Sequence, residues 1–435
     1  MLKPAIMDFF WVAGPKILAG GLQFLLMLAL LRYFDPEHYG LISVCLSGVL
    51  LSDSILGGAT DSGVLRLASS SSAGSLLRSL QFQQAGLVLK LAGVLLVAIP
   101  AFFLARRISL LLFQTGEDVR YLGMSCLALI GMLVLRSVQM HYQVSGRFLA
   151  YGASDLGSSV LKFGGIGILL LLSRPSPGWV LALYAIGPLA IAAWILTSSG
   201  RSLISTPFSG GAFRELISHV KWFLAVSATG TLMARMDVFI LSSMDGVGSA
   251  GVYSAAQMIV LIPQLMGSYI AVVFSPRIMP MWESGTLRKL YQNFQLGIIS
   301  VAVIAFLAAV VLMPQVSDIL FPKAFHRSGP VILALLPSGL CALVNFPLTI
   351  LLLLFLKPRL LVALDCIFLP ILLFAYGWAI RSYGVIGAAS ITSAAALIKT
   401  AIMQTVAWRM LRGQDAVMSA VSISSFQTLE EGPNV

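Results

Sequence analysis

Apolar residues along this chain come in runs of about 20, each ended by a short polar break, and a run of that length is what a helix needs to cross a hydrocarbon core about 30 Å thick. Sized by hydrophobic length, the runs predict twelve spans: 8–32, 40–66, 84–105, 121–144, 150–172, 178–198, 218–243, 250–276, 292–313, 329–356, 360–380 and 385–409. The last two are parted only by a tight turn at Arg381 to Gly384. The predicted class is an all-α polytopic membrane protein, and the even number of spans sets both termini on one side of the membrane.

The longest polar break, Thr197 to Lys221, follows six spans and divides the chain nearly in half. It predicts an N-terminal six-helix lobe at 1–200, a cytoplasmic inter-lobe linker at 201–217 and a C-terminal six-helix lobe at 218–412. Residues 413–435 are too polar to span and too short to fold alone, and read as a disordered cytoplasmic tail.

Composition adds that the membrane is the sink for the apolar surface. The chain is 58% hydrophobic and 10% charged, with a mean hydropathy of +0.94, far from the soluble mixture of about half apolar and a quarter charged. A net charge of +11 in a soluble protein would suggest nucleic acid. Here most Lys and Arg lie in short loops, so membrane lipids are the expected partner and nucleic acid is not. Fourteen basic residues fall on one set of loops and ends against eight on the other, which puts both termini on the cytoplasmic side. Lys16 interrupts the first apolar run and no small-residue cleavage site follows, so that run reads as a retained helix. Cys45, Cys126, Cys341 and Cys366 are scattered singly and read as apolar packing. The chain has no P-loop, dinucleotide turn or zinc spacing, and its four histidines are isolated. A non-enzymatic role with no metal or cofactor is expected.

Eleven charges nevertheless fall inside the spans: Lys16, Lys90, Arg136, Lys162, Arg235 and Lys399, with Asp53, Asp61, Asp155, Asp237 and Asp365. Each costs about 2.5–3.5 kcal/mol at a helix centre unless it faces a partner or a wet cavity. Asp155, Ser158, Ser159 and Lys162 recur at i, i+3, i+4 and i+7 as one polar stripe, which suits either an interhelical seam or a cavity wall. Arg136, Gln139 and Gln143 line one face of the fourth span with the same two readings. Lys16 and Arg235 lie too deep to reach the surface easily, which makes them anion-binding candidates, with pairing to Asp53, Asp61 or Asp237 as the alternative. Asp53 and Asp61 also suit a coupling ion, H+ or Na+.

The halves resemble each other. Asp35, Gly40 to Ser43 and Arg66 match Asp245, Gly251 to Ser254 and Arg277, each arginine 26 positions after its glycine. A repeat in this position predicts two lobes of parallel orientation, an arrangement that supports alternating access.

The run LLRYFDPEHYGLIS from Leu30 to Ser43 resembles a signature of the polysaccharide transporters in the multidrug/oligosaccharidyl-lipid/polysaccharide exporter (MOP) superfamily. Arg235 to Gln264 and FSPRIMPM from Phe274 to Met281 resemble that family's seventh and eighth helices. The resemblance implies two six-helix lobes around a central cationic cavity, walled mainly by spans one, two, seven and eight. It also implies a cargo of undecaprenyl-pyrophosphate oligosaccharide, as in Wzx-type O-antigen flippases serving capsule, exopolysaccharide or lipopolysaccharide synthesis. Carried onto this sequence, it promotes Lys16, Asp53, Arg235 and Asp237 and demotes Lys90 and Lys399. The dense arginine cluster and two extra helices of the peptidoglycan lipid flippases are missing. The resulting candidates are Lys16, Arg235, Arg136 and Lys162 for substrate binding and Asp53, Asp61, Asp155 and Asp237 for coupling or charge pairing. Expected partners are a lipid-linked oligosaccharide, a polysaccharide polymerase and glycosyltransferases. The rivals are a multidrug or cation antiporter of the same fold, which favours an acidic cavity, and a non-transporting scaffold of an export complex.

Overall fold

The computed structural model describes residues 2–70, 76–114, 119–172, 176–198, 203, 205–283, 287–355 and 358–430, and it is helical throughout them apart from turns. The helices are α1 (Leu2–Tyr33), α2 (Pro36–Asp53), α3 (Ala59–Ser70), α4 (Leu76–Phe103), α5 (Ala105–Phe113), α6 (Val119–Val144), α7 (Phe148–Leu172) and α8 (Pro177–Ser198). They continue as α9 (Gly210–Asp245), α10 (Val247–Glu283), α11 (Leu287–Leu320), α12 (Ser328–Phe355) and α13 (Pro358–Glu430). A π-helical segment, Ser54–Gly58, joins α2 to α3 without a break.

Among the described residues eleven stretches are long and apolar enough to cross a membrane. The last, Asp365–Arg409, has 45 residues, about 68 Å of helix and twice the depth of the core. Its backbone breaks at Gly384, where φ 58 and ψ −136 suit a residue without a side chain. The two final passes are therefore one element bent at the turn that the sequence places at Arg381 to Gly384.

The outer surfaces carry the large apolar side chains. Phe102, Phe103, Leu171 and Phe374 are each at least 79% exposed, as expected where lipid is the solvent. Inside, small residues let helices approach. A Cβ on Gly131 of α6 would lie 2.7 Å from the Ala185 carbonyl oxygen of α8.

The two glycines of the internal repeat meet. A Cβ on Gly40 of α2 would sit 2.0 Å from Val247 O and 2.9 Å from Gly251 N, and one on Gly251 of α10 would sit 2.1 Å from Pro36 O and 3.0 Å from Gly40 N. Each glycine thus faces the carbonyl four residues before the other. Asp35 opens α2 by accepting a 2.8 Å hydrogen bond from His38 N, and Pro36 occupies the first turn, where its missing N–H costs nothing.

The chain divides into two compact units. The first comprises Met1–Ala255, Leu320–Arg327 and Pro358–Ala388. Within it Tyr39 stacks edge-on against Phe325 at 5.6 Å, and α3, α4 and α9 pack through Val64, Leu67, Phe82, Leu216 and Val220. The second unit comprises Ala256–Ile319, Ser328–Lys357 and Ala389–Val435. Its core is formed by Ile298, Ala302, Leu336, Leu340, Leu343 and Val344, and Gln295 Nε2 and Asn345 Nδ2 bond to Val344 O and Thr400 Oγ1 at 3.0 and 2.8 Å.

Helix also occupies parts of three stretches that lie outside the apolar runs. The linker expected at 201–217 is helical from Gly210. Ser209 caps α9 through Ala212 N, and Ala212, Leu216 and Val220 recur every four residues as a buried stripe, a period masked by the polar residues between them. Residues 201, 202 and 204 lie outside the described residues. In the stretch read as a tail, α13 runs as far as Glu430, and 431–435 lie outside the described residues. The break after the third span contains a short amphipathic helix, α5, with Ala105, Ser109 and Phe113 buried and Arg106 and Arg107 exposed.

Candidate functional site

A belt of charged and polar side chains runs across the N-terminal helices. Lys16 lies about 21 Å along α1 from its start at Leu2, near the middle of the helix. Its Nζ donates to Tyr151 OH at 3.0 Å, lies 3.6 Å from Asp155 Oδ2 and sits 4.4 Å from the Tyr151 ring centre. Tyr151 and Asp155 are one turn apart on α7, so both meet the same lysine. From α6, Gln139 Nε2 donates to Asp155 Oδ1 at 2.7 Å and to Ser154 Oγ at 3.0 Å.

One turn earlier on α6, Arg136 bridges two acids. Its Nε lies 3.1 Å from Asp53 Oδ1 and its Nη1 donates to Asp61 Oδ2 at 3.3 Å. Eight residues of regular α-helix would leave Asp53 and Asp61 about 80° apart around the axis. The π segment between them absorbs one extra residue and turns them to about the same side. Gly57 makes room there, since a Cβ would lie 3.1 Å from Arg136 Cδ. The segment is tied outward as well, because Ser227 Oγ of α9 donates to Ser54 O at 2.7 Å.

Asp61 has a second cation. Lys90 Nζ of α4 lies 2.5 Å from Asp61 Oδ1 and donates to Ser137 Oγ at 3.2 Å. The resemblance leaves Lys90 on a peripheral span. In the structure it is 2% exposed at the centre of the belt, because α4 packs on both α3 and α6.

Lys162 departs from the stripe that the sequence suggests. Its Nζ lies 5.1 Å over the Tyr184 ring of α8, its stem packs against Gly187, and Ser158 and Ser159 are buried beside it. The stripe therefore splits, with Asp155 turned to Lys16 and the remainder forming a seam with α8. Gln23, two turns after Lys16, donates to Tyr184 OH and closes the belt back onto α1. Gln23, Tyr151, Ser137 and Tyr184 were not singled out in the sequence, although spacings of four from Asp155 to Tyr151 and seven from Lys16 to Gln23 carry the signal.

Arg235 and Asp237 stand apart from this belt. Arg235 lies about 15 Å from the Asp245 end of α9. Asp237 is 2% exposed and accepts hydrogen bonds from Tyr253 OH at 2.5 Å and Val238 N at 2.8 Å. Tyr253 belongs to the repeat around Gly251. Asp365 is buried, with Thr229 Oγ1 at 3.5 Å, and Lys399 is half-buried in α13. Among the described residues no group of three or more His, Cys, Asp or Glu is placed to hold a metal ion.

The belt holds Lys16, Lys90, Arg136 and Lys162 against Asp53, Asp61 and Asp155, four positive charges to three negative, a net of +1. Its exposure is uneven. The side chains of Lys90 and Asp53 are 2% and 3% exposed, whereas those of Lys16, Asp155 and Arg136 are 34%, 33% and 38% exposed. Lys16, Asp155 and Arg136 are therefore the accessible part of the belt, and each is held by an opposite charge, which offsets the cost of its depth.

The solved structures this chain resembles share its fold at low identity. They include the lipid II flippase MurJ in an inward closed conformation, with a TM-score of 0.72 at 13% identity over 98% of this chain and 93% of that one. An inward-facing multidrug resistance MATE family transporter of the MOP superfamily matches with a TM-score of 0.70 at 11% identity over 92% and 95%. A MOP superfamily transporter from Pyrococcus furiosus, described as having a binding pocket of reverse polarity, matches with a TM-score of 0.64 at 14% identity over 94% and 96%. No curated protein matches the sequence. Its long apolar helices define a multi-pass α-helical membrane protein whose fold these solved structures share. The chain belongs to the family of polysaccharide biosynthesis proteins, whose model matches residues 6–282.

Proposed function

We propose that this protein is a flippase that carries a polyprenyl-diphosphate-linked oligosaccharide across the bacterial cytoplasmic membrane for surface polysaccharide synthesis. The observation that supports this most directly is the open, net-positive edge of the belt, where Lys16 and Arg136 present N–H donors at mid-helix depth in a member of a polysaccharide biosynthesis family. A diphosphate diester carries two negative charges and no apolar surface of its own. Donors in a polar space replace its hydration, while the polyprenyl tail stays in lipid. Arg235 adds a further cation about 15 Å from the Asp245 end of α9, and Lys162 one on α7. The acids Asp53, Asp61 and Asp155 hold the cations when no cargo is bound, so that binding is modest enough to be reversed. Both termini face the cytoplasm in this reading, and glycosyltransferases and a polymerase act before and after the step. A multidrug antiporter is the less favoured reading, because an organic cation would meet a net-positive belt.

The test uses purified protein in liposomes and a fluorescent polyprenyl-diphosphate oligosaccharide. Wild type should flip it, and Lys16→Ala and Arg235→Ala should each slow flipping at least about tenfold at equal protein levels, the loss of one charge-assisted contact worth ~1.4 kcal/mol or more. Full activity in both variants refutes the assignment of these residues, and inert wild-type protein refutes the function.

A further inference from the structure

Arg136 is the cation of the belt that bridges two acids, and its departure leaves those acids in unequal positions. Asp61 keeps Lys90 at 2.5 Å. Among the described residues Asp53 keeps no comparable partner: its side chain is 3% exposed, no hydrogen bond reaches its Oδ1, and the contact on that oxygen is Arg136 Nε at 3.1 Å. A buried carboxylate stripped of its counter-ion is strongly unfavourable. Arg136, at 38% exposed, is within reach of a ligand.

We propose that binding of a diphosphate diester head group to Arg136 is linked to uptake of one proton from water by Asp53, an inference that rests on the lipid-linked diphosphate reading above. Phosphate oxygens accept the guanidinium N–H groups, and the proton adds to a carboxylate oxygen of Asp53, which then remains in its dry position as a neutral acid. When the head group leaves, Arg136 returns to Asp53 and the proton goes back to water. The count closes in the loaded state. The two negative charges of the ligand balance Arg136 and Lys162, Lys90 balances Asp61, Lys16 balances Asp155, and protonated Asp53 is neutral.

The groups around Asp53 favour this outcome over a bare charge. The charged residues acting on it are Arg136 from α6, Asp61 from α3, Lys90 from α4 and Asp155 from α7. Lys16 of α1 is engaged with Asp155, α8 offers the Tyr184 hydroxyl, which already accepts from Gln23, and α9 offers Ser227, which bonds Ser54 O. With Arg136 gone, two acids press on Asp53, and the nearest remaining cation is shared with Asp61.

Calorimetric titration of the purified full-length protein with a synthetic polyprenyl-diphosphate-linked monosaccharide tests this, in two buffers of different ionisation heat. Both phosphates of the probe are esterified and do not titrate near neutrality, so any proton taken up belongs to the protein. Wild type should take up about one proton per ligand, and its Kd should weaken about tenfold per unit rise in pH above neutrality, as reciprocal linkage requires. Asp53→Asn should take up none and lose that pH dependence. Binding without proton uptake in wild type overturns the inference and leaves the diphosphate reading standing, and no binding at all overturns both. Uptake that persists in Asp53→Asn overturns the assignment to this residue. Should that variant not fold, the infrared difference spectrum of wild type decides: a protonated carboxyl band appearing with ligand supports the inference, and its absence refutes it.

Discussion

Gly40→Ala isolates the contact on which the internal repeat converges. The added methyl would sit 2.0 Å from Val247 O and 2.9 Å from Gly251 N, and real Cβ atoms essentially never approach closer than 3.0 Å. The carbonyl must therefore retreat by about 1 Å, the difference between 3.0 and 2.0 Å. Side-chain overpacking costs about 1–3 kcal/mol when neighbouring rotamers can adjust. Here the neighbour is helical backbone whose carbonyl is already hydrogen-bonded, so the cost lies at or above the upper end, about 3 kcal/mol. Gly251→Ala meets Pro36 O at 2.1 Å and should cost about the same. The double variant should lose less than the sum, because helices parted for one methyl already have room for the second. Thermal unfolding in detergent is the assay, with Gly164→Ala as reference, since a Cβ there meets nothing within 4 Å. The expected order of stability is Gly164→Ala close to wild type, then either repeat variant lower by several degrees. A Gly40→Ala protein as stable as Gly164→Ala would show that α2 and α10 do not cross this closely.

The other predictions concern charges and caps. Lys90→Met strips Asp61 of its closest partner in a buried setting and should destabilise the protein by about 3 kcal/mol, whereas Lys90→Met with Asp61→Leu should recover most of that, as read by thermal midpoint in detergent. Asp35→Ala removes the cap on α2 and should cost about 1 kcal/mol, with Asp35→Asn largely restoring it. Partial burial raises the Asp35 pKa, but the His38 backbone N–H and ring outweigh it and hold the carboxyl below its usual value. A depressed acid stabilises the fold above its unfolded pKa of about 3.9 and loses that contribution as pH falls through the lower folded value. The stability gap between wild type and Asp35→Ala should hold steady near neutrality and close only in acid below about pH 4. A gap that closes between pH 6 and 8 contradicts the cap.

Much of the architecture could be read from the chain alone, because the bilayer imposes a length scale. Runs of about 20 apolar residues announce helices wherever they occur, and the turn at Gly384, the span order and the polar breaks follow from where those runs stop. The eleven charges within the spans were visible for the same reason, since each is an exception to that pattern. The repeat around Gly40 and Gly251 was legible as matched residues.

What the sequence could not provide is partnership between distant positions. That Gly40 and Gly251 touch each other depends on how α2 crosses α10. That Lys90 is central depends on the packing of α4 against α3 and α6, while periodicity says only which face a residue occupies. The bridge from Arg136 to both Asp53 and Asp61 depends on one extra residue wound into a π turn, a backbone choice with no mark in the hydrophobic pattern. Spans are set by local interaction with a uniform solvent, and that solvent is the same all along the chain. Ion pairs are set by directional contacts a few ångströms long, and only the folded backbone brings those groups within range.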